Sequence, residues 1–157
     1  MISYWLETNA TQPEREGQYL ICPVNSEFRK NPLIYQIMVE PNRGDIVFHY
    51  MIDKKTRVRF IKSYSSVKNS FYISNDPREL QSHQPPFRKI DLQNNIQLAK
   101  KITIPDLRPM RKEIDKICED SGMMRTPFDK NFRVKQLYLM RVPERLAEIF
   151  YRLGINQ

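Results

Sequence analysis

The sequence predicts an α+β, mostly β fold: a curved sheet or open barrel of about six strands flanked by short helices. Three observations carry this. Short apolar and aromatic runs bounded by turn residues recur along the chain, only two stretches carry a helical period, and 157 residues suit one core and one domain spanning 1–157.

The elements follow in order. Ile2–Thr8 (ISYWLET) reads as a strand, ended by the turn chemistry of Asn9 to Pro13. Pro13–Glu16 fits one helical turn closed by Gly17. Tyr19–Cys22 is a short strand limited by Pro23, and Leu33–Val39 mixes strand and helix propensities. Pro41–Asp45 is a turn leading into a core strand, Ile46–Met51, and Asp53–Thr56 turns the chain into Val58–Val67. Those two strands make a hairpin, the second with Val58, Phe60 and Tyr64 on its buried side and a wet, basic face opposite.

Residues 68–89, with Pro77, Pro85 and Pro86, read as a long loop, a length that usually serves a function. Phe87–Ile90 and Ile96–Ile104 resume strand composition. Asp106 is placed to cap a helix running to Glu119 and stopped by Gly122. After a loop over 123–133, Val134–Val142 reads as a strand, and a closing helix opens at Pro143 and stops at Gly154.

Composition narrows the function. Lysine and arginine number 26 against 18 acids, a net charge of +8, and the pI is about 9.6, so a polyanionic partner is expected. No apolar run approaches the ~20 residues of a membrane span, and the N-terminus has no signal-peptide pattern, which together predict a cytoplasmic protein without a membrane role. Cys22 and Cys118 lack any metal-ligand spacing and read as reduced, buried thiols, with a single disulfide as the alternative; no metal or cofactor is expected.

Catalytic patterns are sparse. Four glycines leave no phosphate-cradling loop, and His49, inside an apolar strand, reads as a hydrogen-bonded strand residue rather than a ligand or base. Asp45 serves its turn, while Glu113 and Asp115 point to different helix faces, so neither supports a nuclease centre. The expectation is a protein that is not an enzyme. Recognition by stacking fits better: Trp5, Tyr19, Tyr64, Phe71, Tyr72 and Phe87 are interleaved with Arg57, Arg59, Lys62, Lys68, Arg88 and Lys89. Rings stack on bases at ~1–3 kcal/mol each while cations meet phosphates.

The order of these motifs resembles a known family. Tyr4-Trp5-Leu6-Glu7-Thr8-Asn9 is similar to the first strand of EVE and YTH domains, of the PUA-like class. Gly17-Gln18-Tyr19-Leu20-Ile21-Cys22-Pro23 resembles the YTH segment in which Gly-x-Trp leads through a short strand to proline. Arg43-Gly44-Asp45-Ile46-Val47-Phe48-His49-Tyr50 is similar to an EVE strand. Val134–Leu139 with the Pro143 helix resembles the EVE tail, particularly in proteins associated with McrB-type restriction.

The resemblance implies a PUA-like barrel holding one modified base in an aromatic pocket: N6-methyladenine in RNA for YTH domains, a methylated base flipped out of DNA for the McrB-associated branch. It places Tyr19 where the family has a cage tryptophan, gives the Leu20 carbonyl the base's amino proton, and sets Asn9 at the base edge. Trp5 packs beneath or beside the pocket, and Cys22, on the strand of Tyr19 and Leu20, belongs to the pocket as well. Tyr64, Phe71, Tyr72 and Phe87 are alternatives for the second wall, and Arg57, Arg59, Lys62, Lys68, Arg88 and Lys89 are the phosphate contacts. The implied partner is modified DNA in preference to RNA, with a GTPase or nuclease restriction module in cis or in trans. The second reading is a PUA-like RNA-binding module, either an N6-methyladenine reader or a binder of tRNA or rRNA. Tyrosine for tryptophan at position 19, the short segment between Asn9 and Gly17, and Leu137 in place of a tail glycine depart from the family. N6-methyladenine, 5-methylcytosine and 5-hydroxymethylcytosine all stay open as the base.

Overall fold

In the computed structural model, which describes residues 1–8, 15–25, 36–80 and 83–155, seven strands form one sheet. They are β1 (Tyr4–Thr8), β2 (Tyr19–Pro23), β3 (Ile46–Ile52), β4 (Arg59–Val67), β5 (Tyr72–Ser74), β6 (Phe87–Ile102) and β7 (Leu139–Val142). The order is β2-β6-β4-β3-β1-β7, with β5 also paired to β6. The β1–β3 pair is parallel and every other strand pair is antiparallel. The helices are α1 (Ile104–Leu107), α2 (Arg111–Ser121) and α3 (Glu144–Ile155).

The sheet curls until its two edges meet. Just before β7, the Tyr138 hydroxyl accepts a hydrogen bond from the Ile21 N–H of β2 (3.0 Å) and donates one to Glu7 of β1 (2.9 Å). This seam turns a sheet into an open barrel. Pro23 ends a strand that is itself an edge, where its missing N–H leaves no ladder bond unmade.

Two cores lie on opposite faces of the sheet, as the two-residue strand period requires. Leu6, Phe48, Ile61, Met140 and Val142 pack outward against Ile114, Leu146 and Phe150 of α2 and α3. Trp5, Leu20, Cys22, Val47, Val67, Ile90 and Leu139 fill the inside of the curl, stoppered by Ile37 and Met38 of a 3-10 turn, Gln36–Val39.

Asp45 fixes the start of the curl. Its carboxylate accepts from the Ser3 N–H (3.0 Å), the Asn42 N–H (2.9 Å) and the buried Trp5 indole N–H (3.0 Å). Turn residue and core ring are thus one unit. Asp45→Ala strands the indole donor in the core, and we expect a loss of about 2–3 kcal/mol. A fall in Tm of roughly 5–10 °C by thermal denaturation would register it.

Several sequence expectations need correction. Phe87–Ile90 and Ile96–Ile104 are one 16-residue strand, which pairs with β2 and β5 at its start and with β4 at its end. Its polar centre, Gln93–Gln97, had hidden this continuity because it faces water and the polar interior instead of an apolar core. The long loop over 68–89 contains β5. On β4 the buried polar residues are Ser63 and Ser65, both fully buried, while Val58 is exposed; register shifts against β3 and β6 move the inward face. Asp106 is the third residue of a capping box, accepting from the Thr103 N–H (2.9 Å), and Thr103 is the cap. Only Leu139–Val142 of the 134–142 segment is strand. The last helix continues through Gly154 to Ile155, and the glycine serves packing: a Cβ there would lie 2.6 Å from Leu98.

Candidate nucleic-acid interface

The seam gathers polar groups at the end of the barrel where β1 finishes and β2 begins. Glu7 projects inward, as does its ladder partner His49. Burial of both is nearly complete, and the Glu7 carboxylate meets His49 Nδ1 at 2.8 Å and the Tyr138 hydroxyl with its other oxygen. His49 Nε2 lies 2.8 Å from Ser65 Oγ, which also accepts from Asn95 Nδ2 at 2.9 Å. Ser63 donates to Glu16, which is paired with Lys62 at 3.2 Å and accepts from Gln97 at 3.3 Å. Charges and dipoles therefore run in a chain from the seam to the surface of β4 and β6.

Arg15 closes the seam. Its guanidinium donates to the Tyr138 hydroxyl (3.0 Å) and the Tyr19 carbonyl (3.4 Å), and it lies 3.8 Å from Glu7. It also sits 5.7 Å from the Tyr19 ring centre and 5.8 Å from that of Tyr138, within cation–π range of both. Burial works against its charge, but Tyr138 and Glu7 outweigh it and the guanidinium is held more strongly protonated than usual. Burial, aided by the Glu7 charge, pushes the Tyr138 hydroxyl up, so it stays a neutral donor. Although Arg15 is 6% exposed, its Nε–H is buried with no acceptor among the described residues.

Glu16 gives the network a pH dependence. Burial would raise its pKa, but hydrogen bonds from Ser63, Lys62 and Gln97 prevail and lower it from 4.5. A depressed carboxylate adds stability above its unfolded value and loses it as pH falls through the folded one. Wild type should therefore lose urea resistance below about pH 4.5, and Glu16→Gln should flatten that acid limb in midpoints measured from pH 3 to 6.

The structure sorts the anticipated site residues. Asn9 lies outside the described residues. Trp5, Leu20, Cys22 and Phe87 are all core, each no more than 1% exposed, and present no face to a ligand in this conformation. Burial raises the Cys22 thiol to about 12, consistent with an unreactive reduced thiol, and neither Cys22 nor Cys118 forms a disulfide. The Leu20 carbonyl is not available either. Ile21 sends its N–H across the seam, so ladder alternation turns Leu20 toward Ile90. The carbonyl reaching the seam is that of Tyr19. Tyr64 points to the helical face, 5.1 Å from Tyr151 and 5.8 Å from Phe48, because β4 alternates it against Ser63 and Ser65.

Tyr19 and Tyr72 keep accessible faces on the outer side of the β2–β6–β5 sheet. Lys89 lies between Ile21 and Tyr72 in register and reaches diagonally to set its ammonium 4.2 Å from the Tyr19 ring centre, and the Tyr72 hydroxyl donates to Asp91 at 2.8 Å. Phe71 is exposed beside Tyr72. The cations do not form one patch. Lys62 and Lys89 are paired with Glu16 and Glu79, Arg57 and Arg59 sit at the far end of the β3–β4 hairpin, and Lys68 follows the other end of β4, roughly 25 Å away along the strand. Arg59 lines a separate cleft with Arg108 and Arg133. Arg88 lines another cleft, with Arg125 and Arg141.

Glu7, Arg15, His49, Asn95 and Tyr138 were not singled out from sequence as site residues. A charged residue inside an aromatic strand, as in Trp5-Leu6-Glu7, and a histidine at its parallel partner position were the available signals. The pairing that joins them was not.

No protein-family model and no curated protein matches the sequence. Solved structures do. Human THYN1, determined in complex with 5-methylcytosine-containing DNA, aligns over 99% of this chain and 99% of its own with a TM-score of 0.63 at 13% identity. The N-terminal domain of Staphylothermus marinus McrB aligns over 97% of this chain and 96% of its own, TM-score 0.54, 15% identity. A hypothetical protein from Leishmania major gives a TM-score of 0.65 over 98% and 95% at 15% identity. Among the described residues no helix is long and apolar enough to cross a membrane. The chain therefore has the PUA-like fold, of the type shared by the THYN1 (EVE) and McrB N-terminal domains.

Proposed function

We propose that this chain is a single, non-enzymatic EVE/YTH-like reader domain that takes a modified base of DNA, flipped from the stack, against Tyr19 at the barrel seam. The observation that carries this reading is Arg15. A planar guanidinium rests within reach of two tyrosine rings, and its buried Nε–H has no acceptor among the described residues, so the edge of a base entering the seam would supply one. Glu7 and Tyr138 hold that arginine in place from behind. Tyr72 and Lys89 extend the surface beside Tyr19 for the neighbouring strand.

A methylated base fits the site's chemistry because the ring face rewards apolar area while the edge is read by hydrogen bonds. The shared fold with a domain solved on 5-methylcytosine DNA and with an McrB domain supports DNA over RNA; work beside a restriction GTPase or nuclease in the cytoplasm is part of the same proposal. Binding measured on matched oligonucleotides tests it, using DNA and RNA, single and double stranded, with N6-methyladenine, 5-methylcytosine or 5-hydroxymethylcytosine in turn. Preference for one modified DNA is the expected result. Equal affinity for modified and plain strands would sink the reading, and preference confined to RNA would replace DNA as the substrate.

A further inference from the structure

A second cleft, of about 800 Å³, opens at the other end of the same seam, where the Gln36–Val39 turn packs against β6 and β7. Three guanidinium groups line it from three separate parts of the chain. Arg88 comes from β6 opposite Cys22, Arg141 from β7 opposite Trp5, and Arg125 from the segment between α2 and β7. Some cations elsewhere face a carboxylate, Arg78 with Asp76, Lys89 with Glu79, Arg111 with Asp115 and Arg133 with Asp129, whereas here three converge on one concavity. Among the described residues these three arginines have no ion pair, and Glu40, an acid along the cleft, is exposed.

Concentrating like charges in one concavity is unfavourable unless an anion shares it. Two details show that the arrangement is held in place. The Arg141 guanidinium lies 4.7 Å from the centre of the Trp5 ring, and Arg125 adopts a left-handed backbone, φ 62°, uncommon for a residue with a side chain. The walls between the arginines are apolar, from Ile37 and Met124, and the volume exceeds what one inorganic anion fills.

We infer that this cleft is a phosphate site of nucleotide size, in which Arg88, Arg125 and Arg141 hold phosphate oxygens and the apolar walls take the attached nucleoside. The phosphate comes either from a nucleic-acid backbone or from a free nucleotide. The inference does not rest on the modified-base reading.

Trp5 is the sole tryptophan, so its fluorescence reports the departure of Arg141 from its ring. Sodium pyrophosphate titrated at constant ionic strength should give a saturable change. Arg88→Gln with Arg125→Gln should weaken it about tenfold or more, while Lys54→Gln, the same kind of charge loss on the β3–β4 hairpin, and Tyr19→Ala should not. A short unmodified oligodeoxynucleotide that competes with pyrophosphate assigns the site to a nucleic-acid backbone; AMP that competes where the oligonucleotide does not assigns it to a free nucleotide. Phosphorus NMR line broadening by wild type is a second readout that needs no variant. Failure of wild type to bind pyrophosphate saturably by either readout overturns the inference, as does retained affinity in a folded double variant.

Discussion

Replacing Glu7 by alanine is expected to cost about 3–5 kcal/mol, the range for removing one partner of a buried charge pair. The reason lies in what remains. Arg15 keeps its charge at 6% exposure, His49 loses the oxygen 2.8 Å from its Nδ1, and the Tyr138 hydroxyl loses its acceptor. Glu7 and Arg15 are both nearly buried, so little solvent compensates the charge that remains. With typical domain stabilities of about 5–15 kcal/mol, such a loss leaves a marginal protein. Urea unfolding should show the midpoint falling sharply. Glu7→Gln separates the two causes: an amide can still accept from Tyr138 but cannot balance Arg15, so it should recover only part of the loss. If Glu7→Ala unfolds within ~1 kcal/mol of wild type, the seam network is not what holds the barrel closed.

Much of this was legible from short-range pattern. The Asp45 turn, the β3–β4 hairpin, the left-handed Gly122 stop and the mostly β curl each follow from a few neighbouring residues. Pairing between distant strands was not legible. Glu7 and His49 are 42 positions apart and Glu7 and Tyr138 are 131 apart, so no local period reveals that they share a site. The same holds for burial. Sequence composition treats Trp5, Tyr64 and Phe87 as rings equal to Tyr19, and only alternation along paired strands decides which ring faces core, helix or solvent. Resemblance to a family singled out Tyr19, which is partly exposed, and gave the Leu20 carbonyl a task although that residue pairs in the ladder with Ile90. Ser63 and Ser65 show the reverse error. Two hydroxyls that pattern would place in water are fully buried because His49, Asn95 and Glu16 meet them there.

Tyr19→Ala is expected to abolish discrimination between modified and plain DNA while the fold persists. Stacking of a base on one aromatic ring is worth about 1–3 kcal/mol, so the modified oligonucleotide should lose roughly 5- to 150-fold in affinity. Plain strands, which in this reading engage the protein through phosphates, should lose little. The fold should tolerate the change because Tyr19 sits at the rim of a small cluster with Ile21, Leu80 and Phe87, partly exposed, and none of the Glu7–Tyr138–Ile21 bonds passes through its ring. Tyr19→Phe provides the necessary contrast: it keeps the stacking face and should keep most of the preference, since the hydroxyl is not what the base covers. Affinities for a matched pair of oligonucleotides, alongside a thermal melt of each variant, decide the matter. A folded Tyr19→Ala protein that still prefers the modified strand would move the base away from the seam, and the accessible ring of Tyr72 would then be the next to test.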